Sequence, residues 1–252
     1  MNPIYWSPVI FFFIAFVFSM LGMGGSQLYI PVLFWLGMDF KTQAIPLGML
    51  LNVVNSSSAA FVYARKKLIE WKTAIPFGFF MVIFAPLGTW ANINLPTKPV
   101  ILIFAIFTAA AAILMLSGWK PKRGGLSGKG KFILGIVGGG CLGFFAGLIG
   151  RGGGSFVVPL LFIAGLNPKF AAATSAFVVT FSGLSSFISH IMTAAQPDWL
   201  LWGLCAASVF LGSQAGSRLM AGKLKSKGIK LVFGFVLLGV AALLIVKDVL
   251  LK

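Results

Sequence analysis

Gly22-Met23-Gly24-Gly25-Ser26 and, 128 residues further on, Gly150-Arg151-Gly152-Gly153-Gly154 each interrupt an otherwise apolar stretch of this 252-residue chain. The first is preceded by Tyr5 to Gly22 and followed by Gln27 to Leu36. Ten residues make about 15 Å of helix at 1.5 Å per residue, only half the roughly 30 Å of a bilayer core. The second is preceded by Phe132 to Gly150 and followed, after Ser155, by the short run Phe156 to Ala164. Both regions read as hairpins that enter a membrane, break at glycines and return.

The offset extends well beyond the glycines. Without a gap Gly22 pairs with Gly150, Pro31 with Pro159, Gly37 with Gly165, Lys41 with Lys169, Ala44 with Ala172, Ser57 and Ser58 with Ser185 and Ser186, Trp71 with Trp199, and Gly88 with Gly216. Chance matches between apolar segments favour Leu, Val and Ala, so paired Gly, Pro, Lys and Trp at one register indicate a tandem duplication. The expected division is a first repeat over residues 1–119, a basic cytoplasmic linker over 120–131 and a second repeat over 132–252.

Composition places the chain in a membrane. It is 59% hydrophobic and 10% charged, whereas soluble chains carry about 25% charged residues. Six stretches are long enough to cross as helices: Gln43 to Ala64, Thr73 to Ala91, Val100 to Trp119, Phe170 to Ala195, Trp199 to Leu219 and Ile229 to Leu251. Tyr5 to Gly22, with no positive charge before it, is long for a signal-peptide core and is expected to be retained. Cys141 and Cys205 lie inside apolar runs without metal-ligand spacing, and neither a disulfide framework, a metal nor a cofactor is expected. The fold class is therefore an all-α polytopic membrane protein.

Each repeat has one returning hairpin and three full spans, an odd number of crossings, so the second copy should be inverted relative to the first. The charges test this. The chain has 20 Lys and Arg against 4 Asp and Glu, a net of +16. On a soluble protein that would suggest nucleic acid; here it reads as topology, and no nucleic-acid partner is expected. One face collects Arg65–Lys67, Lys72, Lys120, Lys122, Arg123, Lys129, Lys131, Lys169, Arg218, Lys223, Lys225, Lys227 and Lys230. The other has only Lys41, Lys98, Lys247 and Lys252. The positive-inside rule then puts both termini outside a multi-pass cell (inner) membrane. Arg151, at the second hairpin tip, belongs to neither face.

Inverted repeats with broken helices place a transport site at the midplane, where the breaks meet. Each short second arm begins after its glycines, so its N-terminus carries about half a positive charge and unpaired amide hydrogens. Glycines let the backbone close on a ligand. Gly24, Gly25, Ser26 and Gln27 from one tip, and Gly152, Gly153, Gly154 and Ser155 from the other, would surround a small oxyanion. Arg151 adds a full charge that costs about 2.5 to 3.5 kcal/mol at mid-bilayer. Every acid, Asp39, Glu70, Asp198 and Asp248, lies at a span end or in a loop, so an exogenous anion is the simplest counter-ion. The alternative is that Arg151 caps backbone carbonyls or snorkels.

Other polar groups lie within the spans. Asn52 and Asn55 stand out because an amide leaves more groups to satisfy. Thr174 and Ser175 follow the Arg-bearing hairpin directly. Ser56, Ser57, Ser58, Thr180, Ser182, Ser185 and Ser186 read more readily as helix-packing residues. His190 is expected to be a satisfied structural group, Trp71 and Trp199 to be interface anchors, and Gly88 and Gly216 to permit close packing.

Gly-x-Gly-Gly-Ser followed by Pro31, Gly-Arg-Gly-Gly-Gly-Ser followed by Pro159, Ala-Ala-Thr-Ser at Ala172 to Ser175, and the pair Trp71 and Trp199 resemble the TauE/SafE family of sulfite exporters. The resemblance covers nearly the whole chain. It implies a permease for sulfur-containing anions such as sulfite, or for organosulfonates such as sulfoacetate. The chain departs from the pattern where Pro46-Leu47 replaces Thr174-Ser175, so the halves should contribute unequally, with the Arg151 tip dominant. An anion channel or facilitator is the nearest alternative. An intramembrane enzyme is not expected: the tip serines lie deep, His190 lies near the surface, and no acid stands beside it in the span.

Overall fold

The computed structural model describes residues 6–96, 127–148, 154–192, 194–195 and 197–222, with scattered positions between 99 and 117 and between 228 and 242. The expected spans Val100 to Trp119 and Ile229 to Leu251 lie, apart from those positions, outside the described residues. So does the tip from Gly150 to Gly153, with Arg151.

Among the described residues eight α-helices follow one another: α1 (Ser7–Leu21), α2 (Ser26–Trp35), α3 (Ile45–Arg65), α4 (Trp71–Asn94), α5 (Gly128–Leu148), α6 (Gly154–Ile163), α7 (Pro168–Ile191) and α8 (Trp199–Gly222). No strand occurs among the described residues. A π-helical turn, Phe40–Ala44, leads into α3. Among the described residues, four segments are long and apolar enough to cross a membrane, namely Phe40–Arg65, Trp71–Asn94, Pro168–Ile191 and Trp199–Gly222. They match four of the expected spans to within a few residues. The largest difference is α7, which ends at Ile191 instead of Ala195. The π-turn has no signature in the apolar pattern.

The 128-residue offset reappears in the element bounds: α2 and α6, and α4 and α8, begin and end at equivalent positions. Local caps repeat with it. The Asp39 carboxylate accepts from the Lys41 and Thr42 amides ahead of α3, and the Asn167 side chain accepts from the Lys169 amide ahead of α7. Such side-chain acceptors satisfy the first amides of a helix. Asp39 also accepts the Thr42 hydroxyl at 2.7 Å. Thr42's amide and hydroxyl together, and then Lys41's amide, hold its carboxyl below the usual carboxylate range. After α2, Met38 N–H donates to Leu33 O; after α6, Leu166 N–H donates to Leu161 O, closing the same C-terminal turn.

Packing exchanges elements between the halves. The most extensive helix pairings are α4 with α5 and α1 with α8, so the first helix of each half rests on the last described helix of the other. Glycines set the distance. A β-carbon on Gly88 would overlap the Phe144 carbonyl of α5, and one on Gly216 would overlap the Phe16 carbonyl of α1. These are two equivalent contacts at the same offset, and they agree with the packing role expected for both glycines. In a bilayer, where burial from water does not drive helices together, such close backbone approach is a main source of association.

α3 and α7 form the centre. Their most apolar stretches are 72% and 61% buried, against 39% and 44% for α4 and α8, so the outer pair carries the lipid contact. On α4 the exposed residues Trp71, Ile75, Phe79, Ile83, Leu87 and Trp90 recur every three or four positions, one face of a helix. α3 and α7 run antiparallel. Thr42 O, before α3, accepts from Ala195 N–H, beyond α7; at the opposite ends, Glu70 N–H donates to Thr174 Oγ1 at 3.0 Å.

Candidate functional site

The first tip is built on three glycines with left-handed backbone: Gly22 at φ 68°, Gly24 at 79° and Gly25 at 96°. Gly22 ends α1, its N–H donating to Ser19 O while Met23 N–H donates to Phe18 O. A β-carbon there would strike the carbonyl of Ala172 in α7, so the position requires glycine for both its conformation and its neighbour. Gly25 then stands as the N-cap of α2 and has no side chain to offer its first amides.

Side chains from both halves hold this tip. From α3, Asn52 Oδ1 accepts from Ser26 N–H at 3.4 Å, and Asn55 Nδ2 donates to Gly24 O at 2.7 Å. From α7, Ser175 Oγ donates to Gly22 O at 2.8 Å. Ser26, Gln27, Asn52, Asn55, Thr174 and Ser175 are all buried. The expected residues of the first tip therefore meet Asn52, Asn55 and Ser175 in one place. Gln27 lies one turn on, its Nε2 donating to Met23 Sδ at 3.2 Å. Thr174 faces elsewhere, accepting from the loop before α4. Gly154 and Ser155 open α6, while Arg151, Gly152 and Gly153 lie outside the described residues.

Asn52 Nδ2 is buried at this clamp without a hydrogen-bond partner, while the Tyr29 hydroxyl and the Asn55 amide, also buried, lie beside one another. Away from water an unsatisfied group such as Asn52 Nδ2 costs about 1–3 kcal/mol, which marks the position as one suited to something polar. Asn52 Nδ2 faces α7 at Gly183, where a β-carbon would lie 2.8 Å from it. Tyr29 packs under the tip, against the space where Gly25 lacks a side chain. Ser186 Oγ, one turn beyond Gly183 on α7, is also buried and unpartnered. The chemistry assembled is donor-rich: an amide NH₂, hydroxyls and a helix N-terminus, with no acid within these helices. It suits an anion.

Tyr29 and Gly183 were not among the candidates read from sequence. Gly183 could have been found, because at the 128 offset it matches Asn55: the amide in one half is answered by space in the other. Tyr29 had one available signal, since the chain has only three tyrosines and this one lies one turn after Gly25. A second tyrosine, Tyr63, donates to Ser19 O at 2.6 Å and secures the last turn of α1. His190 is buried with Nε2 3.2 Å from Gly147 O, in keeping with the structural role expected of it. Trp71 and Trp199 are exposed at the starts of α4 and α8.

A helical protein with several membrane-crossing segments around a buried, donor-rich tip belongs to the class of membrane transporters. Its relatives agree. The profile of the Sulfite exporter TauE/SafE family matches residues 8–244, and the chain belongs to that family. It is 28% identical over 197 residues to the probable membrane transporter protein MJ0441 of Methanocaldococcus jannaschii, covering 73% of this chain and 70% of that protein. To the probable membrane transporter protein YunE of Bacillus subtilis it is 24% identical, over 92% of this chain and 93% of the other. A 54-residue segment is 39% identical to Sulfite exporter TauE/SafE family protein 6 of Arabidopsis thaliana, 21% of this chain and 13% of that protein. No solved structure matches the chain.

Proposed function

We propose that this transporter carries a small sulfur-containing anion, sulfite or an organosulfonate such as sulfoacetate, bound at the membrane midplane between two glycine-tipped half-helices and moved by alternating access. The observation that carries the reading is the first tip: a helix N-terminus clamped by Asn52, Asn55 and Ser175, with Asn52 Nδ2 buried without a partner and the Tyr29 hydroxyl buried beside Asn55. Both donors are suited to an oxyanion.

In this reading the repeats are inverted, each with a re-entrant hairpin and three spans, and the antiparallel course of α3 and α7 supports it. Arg151 supplies charge from the second tip, with Gly152, Gly153, Gly154 and Ser155 as its cradle. Charge distribution supports both termini outside the cell, in the inner membrane. With no acid within the described spans, transport runs downhill or with protons carried on the substrate.

Purified protein is screened by thermal stabilisation against sulfite, sulfate, thiosulfate, sulfoacetate and carboxylates. A ligand at 100 times its Kd stabilises by about 2.7 kcal/mol, and a sulfur anion is expected to do so where chloride and choline do not. Arg151→Met is expected to abolish the effect. Equal stabilisation by all anions, or unchanged affinity in Arg151→Met, sinks the proposal.

A further inference from the structure

Away from the tips, a cleft opens between the C-terminal halves of α3 and α8. Two adjoining cavities, of about 500 and about 440 Å³, share Phe61, Gln214 and Arg218 as walls. Three exposed cations converge on it, Arg65, Lys66 and Arg218. None has an acidic partner among the described residues. The Arg65 guanidinium lies 4.8 Å from the centre of the Phe61 ring, which leaves its outer edge free to bind.

The wall is otherwise apolar. Phe61 and Phe210 are 57% and 48% exposed, so the cleft opens sideways, toward where lipid lies. Its amide, Gln214, is already engaged with Ser58 Oγ at 2.8 Å. A small hydrated oxyanion would find charge at the mouth but no free donors along the groove. A molecule with an anionic head and an apolar tail is complementary to both parts.

We propose that the cleft holds an anionic phospholipid, its phosphate against Arg65, Lys66 and Arg218 and an acyl chain along Phe61 and Phe210. Arginine forks pair with phosphate oxygens two at a time. Basic pockets between membrane helices recognise anionic headgroups by the same electrostatics. The site would tie the C-terminal ends of two helices from different halves to one lipid.

The test is native mass spectrometry of the delipidated, detergent-purified protein titrated with dioleoylphosphatidylglycerol or dioleoylphosphatidylcholine. Phosphatidylglycerol is expected to be retained over phosphatidylcholine. Each basic residue contributes about fivefold, so Arg65→Gln/Arg218→Gln weakens retention about thirtyfold. Lys72→Gln/Lys129→Gln, which removes the same charge elsewhere, leaves it unchanged. All four positions are exposed, so folding is preserved. Ser57 lines the second cavity; Ser57→Trp keeps every charge but fills the groove there, and is expected to lower retention as well. Equal binding of the two lipids, or equal loss in the control pair, overturns the proposal. Displacement of the lipid by millimolar inorganic phosphate together with indifference to Ser57→Trp also overturns it, because the cleft would then be a vestibule for free anions.

Discussion

Asn52→Asp separates the fold of the first tip from its proposed work. Aspartate is nearly isosteric with asparagine, and the oxygen that accepts Ser26 N–H is kept. What changes is the other end of the side chain. The unpartnered NH₂ becomes a carboxylate oxygen, at a position buried to 0% exposure. A negative charge beside the N-terminus of α2 gains about 0.3–1 kcal/mol from the helix dipole, which offsets only a small part of the cost of burying it, so melting curves must show a folded variant before its binding is read. A bound anion meets two penalties. It loses a charge-assisted hydrogen bond, about 1.5–3 kcal/mol. It also faces a like charge, which at about 4 Å and an effective dielectric near 20 costs about 4 kcal/mol. Together these exceed a thousandfold in affinity. Asn52→Leu adds no charge but removes the donor together with the oxygen that accepts Ser26 N–H, and should cost about 10- to 100-fold. Calorimetric titration of sulfite into purified wild type and both variants, with melting curves as the folding check, measures the difference. An Asn52→Asp protein that melts normally and binds sulfite within threefold of wild type would refute the assignment of Asn52 Nδ2 to the anion.

Other expectations follow from single contacts. Gly216→Val should destabilise the pairing of α1 with α8, by about 1–3 kcal/mol or more, because its β-carbon overlaps the Phe16 carbonyl; Gly203→Ala, with open space around it, should be neutral or stabilising by up to about 1 kcal/mol, and melting in detergent compares them. Ser175→Ala leaves the Gly22 carbonyl without its donor, and hydrogen exchange at residues 22–26 should rise by roughly tenfold while the rest of the chain is unchanged. Asp39 has a folded pKa below its ordinary value, so its contribution is full above the unfolded value near 4 and is lost as pH falls through the lower folded one. Asp39→Ala should therefore cost about 1 kcal/mol at neutral pH and flatten the acid limb of a stability profile; an unchanged acid limb would remove Asp39 from the account.

The membrane-crossing helices and the 128-residue offset were legible because both are properties of pattern. Apolar run length reports span length, and paired glycines, prolines and tryptophans report register. The neighbours of the tip were only half legible. Asn52 and Asn55 could be picked out because an amide in an apolar helix needs partners, whichever they are. Ser175 stands out in sequence for following the second tip and instead binds the first, since α7 packs against Gly22 and nothing local to Ala172–Ser175 encodes that contact. Thr174 has the same neighbours in sequence yet points to the loop before α4. A difference of one position on a helix turns the side chain by about 100°, which a motif read as a unit does not resolve. Tyr29 was missed because an aromatic in an apolar half-helix reads as core until its hydroxyl is found buried beside Asn55.

The exchange of helices between halves has a consequence for how the chain is made. α1 emerges early and inserts, but α8, on which it rests, is synthesised only after most of the chain. At about 5–20 residues per second, Ser7 waits roughly 10 to 40 s for Trp199. During that interval the Phe16 carbonyl and its neighbours on α1 face lipid or a chaperone. A cut between α4 and α5 would give two fragments, each with its first helix separated from the helix it rests on. The two fragments are therefore expected to mature only together.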